Sequence, residues 1–183
     1  MKRISAAPSV SSAGSAPATG SFDVDTNRVA EDFGFDVRNR LSDSWRESID
    51  GDPEARSIFH RHYSFRSYAD GRKPKLFIGP GSKIVLVTPD NRALFVWRKF
   101  KSGDGQNGIN CSVFRNESDR LSSDLIREAE EIAWRVWPNE RFFTYVNPRK
   151  VKSANPGYCF KCAGWNLCGV TKWNKLLIFE KLP

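Results

Sequence analysis

The sequence predicts an α/β fold organised on a mixed sheet with two central parallel strands. Three observations carry that prediction. First, residues 108–115 (GINCSVFR) and 141–147 (RFFTYVN) have the β-branched and aromatic content of strands. Between them, Leu125, Ile126, Ala129, Ile132, Ala133, Val136 and Trp137 fall at helical spacing along one face, and Pro138 ends the run. A strand, a crossover helix and a strand in so little chain predict a right-handed parallel βαβ unit. Second, residues 83–88 and 92–99 read as strands around the turn Pro89-Asp90-Asn91, a hairpin ahead of that unit. Third, residues 168–172 and 175–181 read as a closing antiparallel pair around Trp173-Asn174.

Taken in order, residues 1–22 are rich in Ser, Ala, Gly and Pro and predict a disordered tail. Residues 23–183 are expected to form a single catalytic domain. From Asp25 to about Ile58 the pattern is helical but interrupted, with a patch of Val29, Phe33 and Phe35 and a stripe of Val37, Leu41 and Trp45; Gly51-Asp52-Pro53 breaks it. Residues 55–68 hold both histidines, His60 and His62, with Arg56, Arg61 and Arg66, and Arg72 just beyond. This stretch is too polar for a core element and is expected to frame a site. Residues 75–78 read as a short strand, and Gly79-Pro80-Gly81 as a turn. KSGDGQNG (101–108) reads as a flexible loop, and the helix of the βαβ unit is expected over Ser123–Trp137, with Ser122 and Ser123 as N-cap types. A short helix within residues 155–165 closes at Gly164.

Charge narrows the partners. The net charge is +8 but uneven: residues 1–50 hold six Lys/Arg and eight Asp/Glu, while residues 51–183 hold the other 23 and 13. A body carrying +10, with Trp and Tyr interleaved among the cations, predicts a polyanionic partner, nucleic acid first. Nothing resembles a membrane span or the apolar core of a signal peptide, so cytoplasmic residence is expected. The four cysteines, Cys111, Cys159, Cys162 and Cys168, are expected to be buried free thiols; a zinc site or a disulfide are the alternatives, and zinc would want a second pair beside Cys159-x-x-Cys162.

The element order (helices, hairpin, strand, helix, strand, short helix, two strands) resembles the GCN5-related N-acetyltransferase (GNAT) fold. That resemblance implies two parallel strands that splay apart to admit an acyl-CoA arm. A narrower set of motifs resembles the bacteriophage Mom DNA-modification proteins. These are His62-Tyr63-Ser64, Gly79-Pro80-Gly81-Ser82-Lys83, Phe114-Arg115-Asn116-Glu117, Leu121 through Ile126, Thr144-Tyr145-Val146 with Lys150-Val151, Asn155 through Phe160, and Ala163-Gly164-Trp165. They run in order over about residues 55–181. The Mom resemblance implies an enzyme that converts adenine in double-stranded DNA to an N6-carbamoylmethyl form and so evades host restriction, with acetyl-CoA or a related acyl donor as cofactor. If phage-encoded, it would act in the host cytoplasm. One departure separates the chain from ordinary GNAT enzymes: their Gly-rich diphosphate loop is replaced by Arg115 through Ser123, which has no glycine. A GNAT acyltransferase acting on a protein or small-molecule amine is the alternative. A non-enzymatic DNA binder is a third reading, without a helix-turn-helix or finger motif behind it. The oligomeric state is open, a homodimer included.

Adenine N6 is a poor nucleophile, so a catalyst must polarise the amine and stabilise charge on the donor. Among the catalytic candidates, His62 is expected to serve as a base and Tyr63 to stack on a base or donate a proton. Arg115 ends the first parallel strand, where α/β folds place ligands, and is expected to meet an anion or the donor carbonyl. Tyr158 takes the general-acid role that many GNAT enzymes give a tyrosine, on the strength of that resemblance. Arg115, Asn116, Arg120, Ser122, Ser123 and Asn147 are the candidates for holding a cofactor, against N-capping for the serines and turn formation for Asn147. Arg61, Arg66, Arg149, Lys150 and Lys152 are the candidate DNA contacts. No metal ligand is expected.

Overall fold

The computed structural model describes residues 41–183. The expected tail (1–22) and the patch from Val29 to Val37 lie outside the described residues. Ten elements follow: β1 (Arg46–Ser48), α1 (Pro53–His60), β2 (Ser82–Val87), β3 (Ala93–Lys99), β4 (Ile109–Asn116), α2 (Ser122–Val136), β5 (Phe142–Val146), α3 (Tyr158–Cys162), β6 (Asn166–Val170) and β7 (Leu177–Lys181). They form an α/β architecture around one seven-stranded mixed sheet in the order β1-β2-β3-β4-β5-β7-β6. Every neighbouring pair is antiparallel except β4 and β5, the two parallel strands joined through α2.

Both faces of the sheet are covered. α2 buries Leu125, Ile126, Ala129, Ile132 and Ala133 against Phe95, Trp97, Ile109 and Phe142, and α3 adds Phe160 beside Trp165 and Phe179. The buried indoles keep their N–H groups satisfied, as burial requires: Trp45 donates to the Leu125 carbonyl (2.9 Å), Trp97 to the Ala129 carbonyl (3.0 Å) and Trp165 to Glu130 Oε1 (2.5 Å). On the other face, Ala55 and Ile58 of α1 pack on Val85, Val87, Leu94, Val96 and Val113. No helix among the described residues is long and apolar enough to cross a membrane.

Several expectations need correction. Residues 41–50 do not continue a helix. Leu41 N–H bonds the Trp45 carbonyl in a turn, and 46–48 form the edge strand β1. The polar stretch from Ala55 is a core-packing helix as far as His60: Asp52 caps it by accepting from Ala55 N (2.9 Å), and Pro53 stands in its first turn, where no N–H is needed. Residues 75–78 are not a strand; the Phe77 and Ile78 amides bond Asp50 Oδ1 instead. α2 begins one residue earlier than expected, and its N-cap is Leu121, without a side-chain cap bond, so neither Ser122 nor Ser123 caps it. Of the thiols, Cys111 is buried and Cys159 half-buried, but Cys162 and Cys168 are exposed; all four are free.

Candidate active site in the strand gap

β4 and β5 pair only from Ile109↔Phe142 to Cys111↔Thr144. Beyond that point β4 runs on to Asn116 and β5 to Val146 without meeting. The parting coincides with a bulge. Val96 of β3 faces Val113, but Trp97 faces Cys111, which leaves Ser112 as an extra residue on β4. An extra residue bends its strand and increases the local twist, which turns the end of β4 away from β5. The wedge left behind is a cleft of about 640 Å³, within the range of ligand sites.

Strands β4 and β5, the ends of α1 and α2, the loop after β5 and α3 all line it. Arg61, His62 and Tyr63 enter from the end of α1, Arg115 and Asn116 from β4, and Lys150 and Lys152 from the loop after β5. His62 is only 8% exposed. Its Nδ1 lies 2.7 Å from Ser64 Oγ and accepts from the Ser64 amide (3.3 Å), which assigns the proton of the neutral ring to Nε2. Burial, with the charge of Arg115 second, lowers its pKa to about 4. At neutral pH His62 is thus an uncharged N–H donor, not a base poised near 7. The adjacent Tyr63 ring lies 4.3 Å from it, centroid to centroid. Tyr63 is 37% exposed, yet its hydroxyl reaches across the gap and donates to the Tyr145 carbonyl (3.3 Å). Burial raises the phenol's pKa, with the Asn147 backbone amide pulling it the other way. The hydroxyl satisfies backbone groups of β5 that β4 would have paired had it stayed alongside.

Arg115 Nε bonds Glu117 Oε1 at 2.5 Å, and Arg61 clasps the same carboxylate through Nε (2.9 Å) and NH2 (2.7 Å). The hydrogen bond from Arg61, with Arg115 adding to it, holds the Glu117 carboxyl down at about 2. Glu117 therefore stays ionised and fixes two guanidinium groups at the mouth of the cleft. Lys150 and Lys152 are exposed on the rim, and neither forms an ion pair among the described residues. Cys111 and Cys159 line the interior, and burial raises both thiols, so neither is a thiolate nucleophile at neutral pH.

The structure does not bring all the candidates together. Tyr158 is 59% exposed, outside the cleft lining, with its hydroxyl toward Cys162, so it does not join His62, Tyr63 and Arg115. Asn147 forms a turn, its Oδ1 accepting from Arg149 N (3.0 Å). Arg120 points away, donating to Ser44 Oγ (2.5 Å). Asn116 and Ser122 line the cleft but are bonded to each other (3.1 Å). Ser123, Arg66 and Arg149 lie outside the lining. Sequence reasoning gave no role to Glu117, Ser64 or the Ser112 bulge. The first two stood within the quoted motifs; the bulge depends on pairing with β3 and leaves no local trace.

The loop before α2 offers only part of its backbone to an acyl-CoA diphosphate: the amides of Leu121, Ser122 and Ser123 have no partner among the described residues. The amides of Glu117, Ser118 and Arg120 are already engaged, by the Arg92 carbonyl, Asn116 Oδ1 and Ser118 Oγ. The Tyr63 hydroxyl also occupies the edge of β5 along which the arm would lie. Among the described residues, no group of three or more His, Cys, Asp or Glu is placed to hold a metal ion. Comparison with known proteins finds no protein-family model and no curated protein that matches the chain.

Proposed function

We propose that the chain is a GNAT-like transferase of the Mom type, acting on the N6 amine of adenine in DNA. The observation that carries this reading is the wedge between two parting parallel strands, in which His62, Tyr63 and Arg115 converge beneath a rim of free lysines. Its volume admits a nucleobase together with a small donor group. In this reading Nε2–H of His62 and the Tyr63 hydroxyl orient the base and the group it receives. Arg115, held by Glu117, meets negative charge as it develops on the donor. Lys150 and Lys152 hold backbone phosphates. A duplex adenine must be flipped out or approached from the major groove to reach this depth.

Nucleoside mass spectrometry of DNA from cells expressing the chain tests the reading. A heavier deoxyadenosine is expected, together with resistance of that DNA to restriction enzymes whose sites contain adenine. Arg115→Ala should lower the modified fraction per unit of folded protein by about 10²–10³-fold. Unmodified DNA from soluble, folded protein would overturn the reading, and acylated protein or small amines in the same cells would replace it with the alternative acyltransferase.

A further inference from the structure

β6 and β7 form a hairpin whose last pair is Val170↔Leu177, and Leu177 also pairs with Val146 at the end of β5. The turn over residues 171–176 therefore projects from the end of the sheet at which the cleft opens. It is pinned: Thr171 N–H bonds the Leu176 carbonyl (2.9 Å) and Leu176 N–H bonds Thr171 Oγ1 (2.9 Å). At its tip Trp173 is 85% exposed, whereas Trp45, Trp97, Trp137 and Trp165 are all at 8% or below. The tip carries Lys172 and Lys175 and no acid, and Lys172 Nζ lies 5.4 Å from the Trp173 ring centroid. An exposed aromatic between cations matches a nucleobase between phosphates. Leu167 and Val170 of β6 are also exposed on this hairpin, so a second copy of the chain is the competing occupant that the test must separate.

We propose that this turn is a second nucleic-acid contact: Trp173 stacks on a base of the strand whose adenine enters the cleft, and Lys172 and Lys175 hold the flanking phosphates. The proposal rests on the DNA reading of the cleft. β6 stands two strand spacings from β5, about 10 Å. Such a contact splays the strand on one side of the adenine and lowers the cost of its extrusion.

The test titrates the full chain with a short adenine-containing oligonucleotide, single-stranded and duplex, following tryptophan emission and affinity. Wild-type emission should be quenched, and Trp173→Phe should lose most of the quenching. Trp173→Ala should weaken binding about 5- to 150-fold, the range for one stacked base, and Trp173→Phe should recover most of it. Lys172→Ala with Lys175→Ala should lower the slope of log affinity against log salt by about 1.8 for the duplex. Binding and quenching unchanged by the Trp173 substitutions would overturn the turn's role and leave the cleft reading standing; absence of wild-type binding would overturn both. A wild-type dimer that Trp173→Ala converts to monomer with unchanged DNA affinity would assign the turn to self-association and overturn the proposal.

Discussion

His62 shows how burial rewrites the chemistry of a residue type. An exposed imidazole titrates near 6.5, where it makes a serviceable base; this one is lowered to about 4. The sign follows from linkage. Between about pH 4 and 6.5 the unfolded chain binds a proton that the folded chain refuses, so stability falls as pH drops through that window. The full shift corresponds to on the order of 3 kcal/mol. Chemical denaturation between pH 7 and 4 should show wild type losing up to that amount more than His62→Gln; equal losses would mean that His62 is not buried as described. Activity should stay level from pH 5 through 8, because a ring lowered to about 4 is neutral throughout that range; a rise with an apparent pKa near 6.5 would mean that His62 titrates like an exposed imidazole. Glu117 is the complementary case, a carboxylate kept ionised by two arginines. Glu117→Gln should free Arg61 and Arg115 and tighten DNA binding roughly tenfold at low salt, about 1.4 kcal/mol. The same change should lower turnover, because Arg115 loses its anchor; a gel-shift titration beside the modification assay separates the two effects.

At the scale of elements, legibility in the sequence followed the range of the interactions that specify each piece. α2 repeats its buried positions over four turns, and β3, β4 and β5 are dense in Val, Ile and Phe, so periodicity and composition sufficed. Leu41 and Trp45 share a helical spacing by coincidence, because the Trp45 indole is specified by the Leu125 carbonyl, 80 residues away. α1 buries only Ala55 and Ile58 in eight residues, too little for its pattern to stand out among the arginines around it. Within the site, the strand-end position of Arg115 could be read, and so could the approach of His62 and Tyr63. The outward direction of Tyr158 depends on how α3 is anchored, which is a tertiary property. That anchor is itself testable. Gly157 precedes α3 at φ +81°, and a Cβ there would lie 2.4 Å from the Phe179 ring. Strain and overpacking together should make Gly157→Ala cost about 3 kcal/mol, roughly 10 °C in Tm. Thermal melting would show it; a shift under 2 °C would mean that α3 is not held against Phe179.

For the molecule as a whole, the charge distribution decides where a polyanion can lie. Many cations of the described residues are engaged: Arg61 and Arg115 on Glu117, Lys83 on Asp50, Lys99 on Glu140 and Arg141 on Glu180. Lys150 and Lys152 at the cleft, with Lys172 and Lys175 on the hairpin tip, carry no ion pair among these residues, and both sets stand at the end of the sheet where β4 and β5 part. A duplex laid across that end releases counterions from each phosphate it pairs, and log affinity falls against log salt by about 0.9 per contact. Lys150→Ala with Lys152→Ala should therefore reduce the slope by about 1.8 and weaken binding similarly on every sequence, because phosphate contacts position without specifying. The double variant should melt within about 1 °C of wild type, since both side chains are exposed. Fluorescence anisotropy of a labelled duplex between 50 and 200 mM salt measures the slope. If it is unchanged while Arg66→Ala with Arg149→Ala lowers it, the track passes over the loops flanking the cleft, and the strand gap is not where DNA first lands.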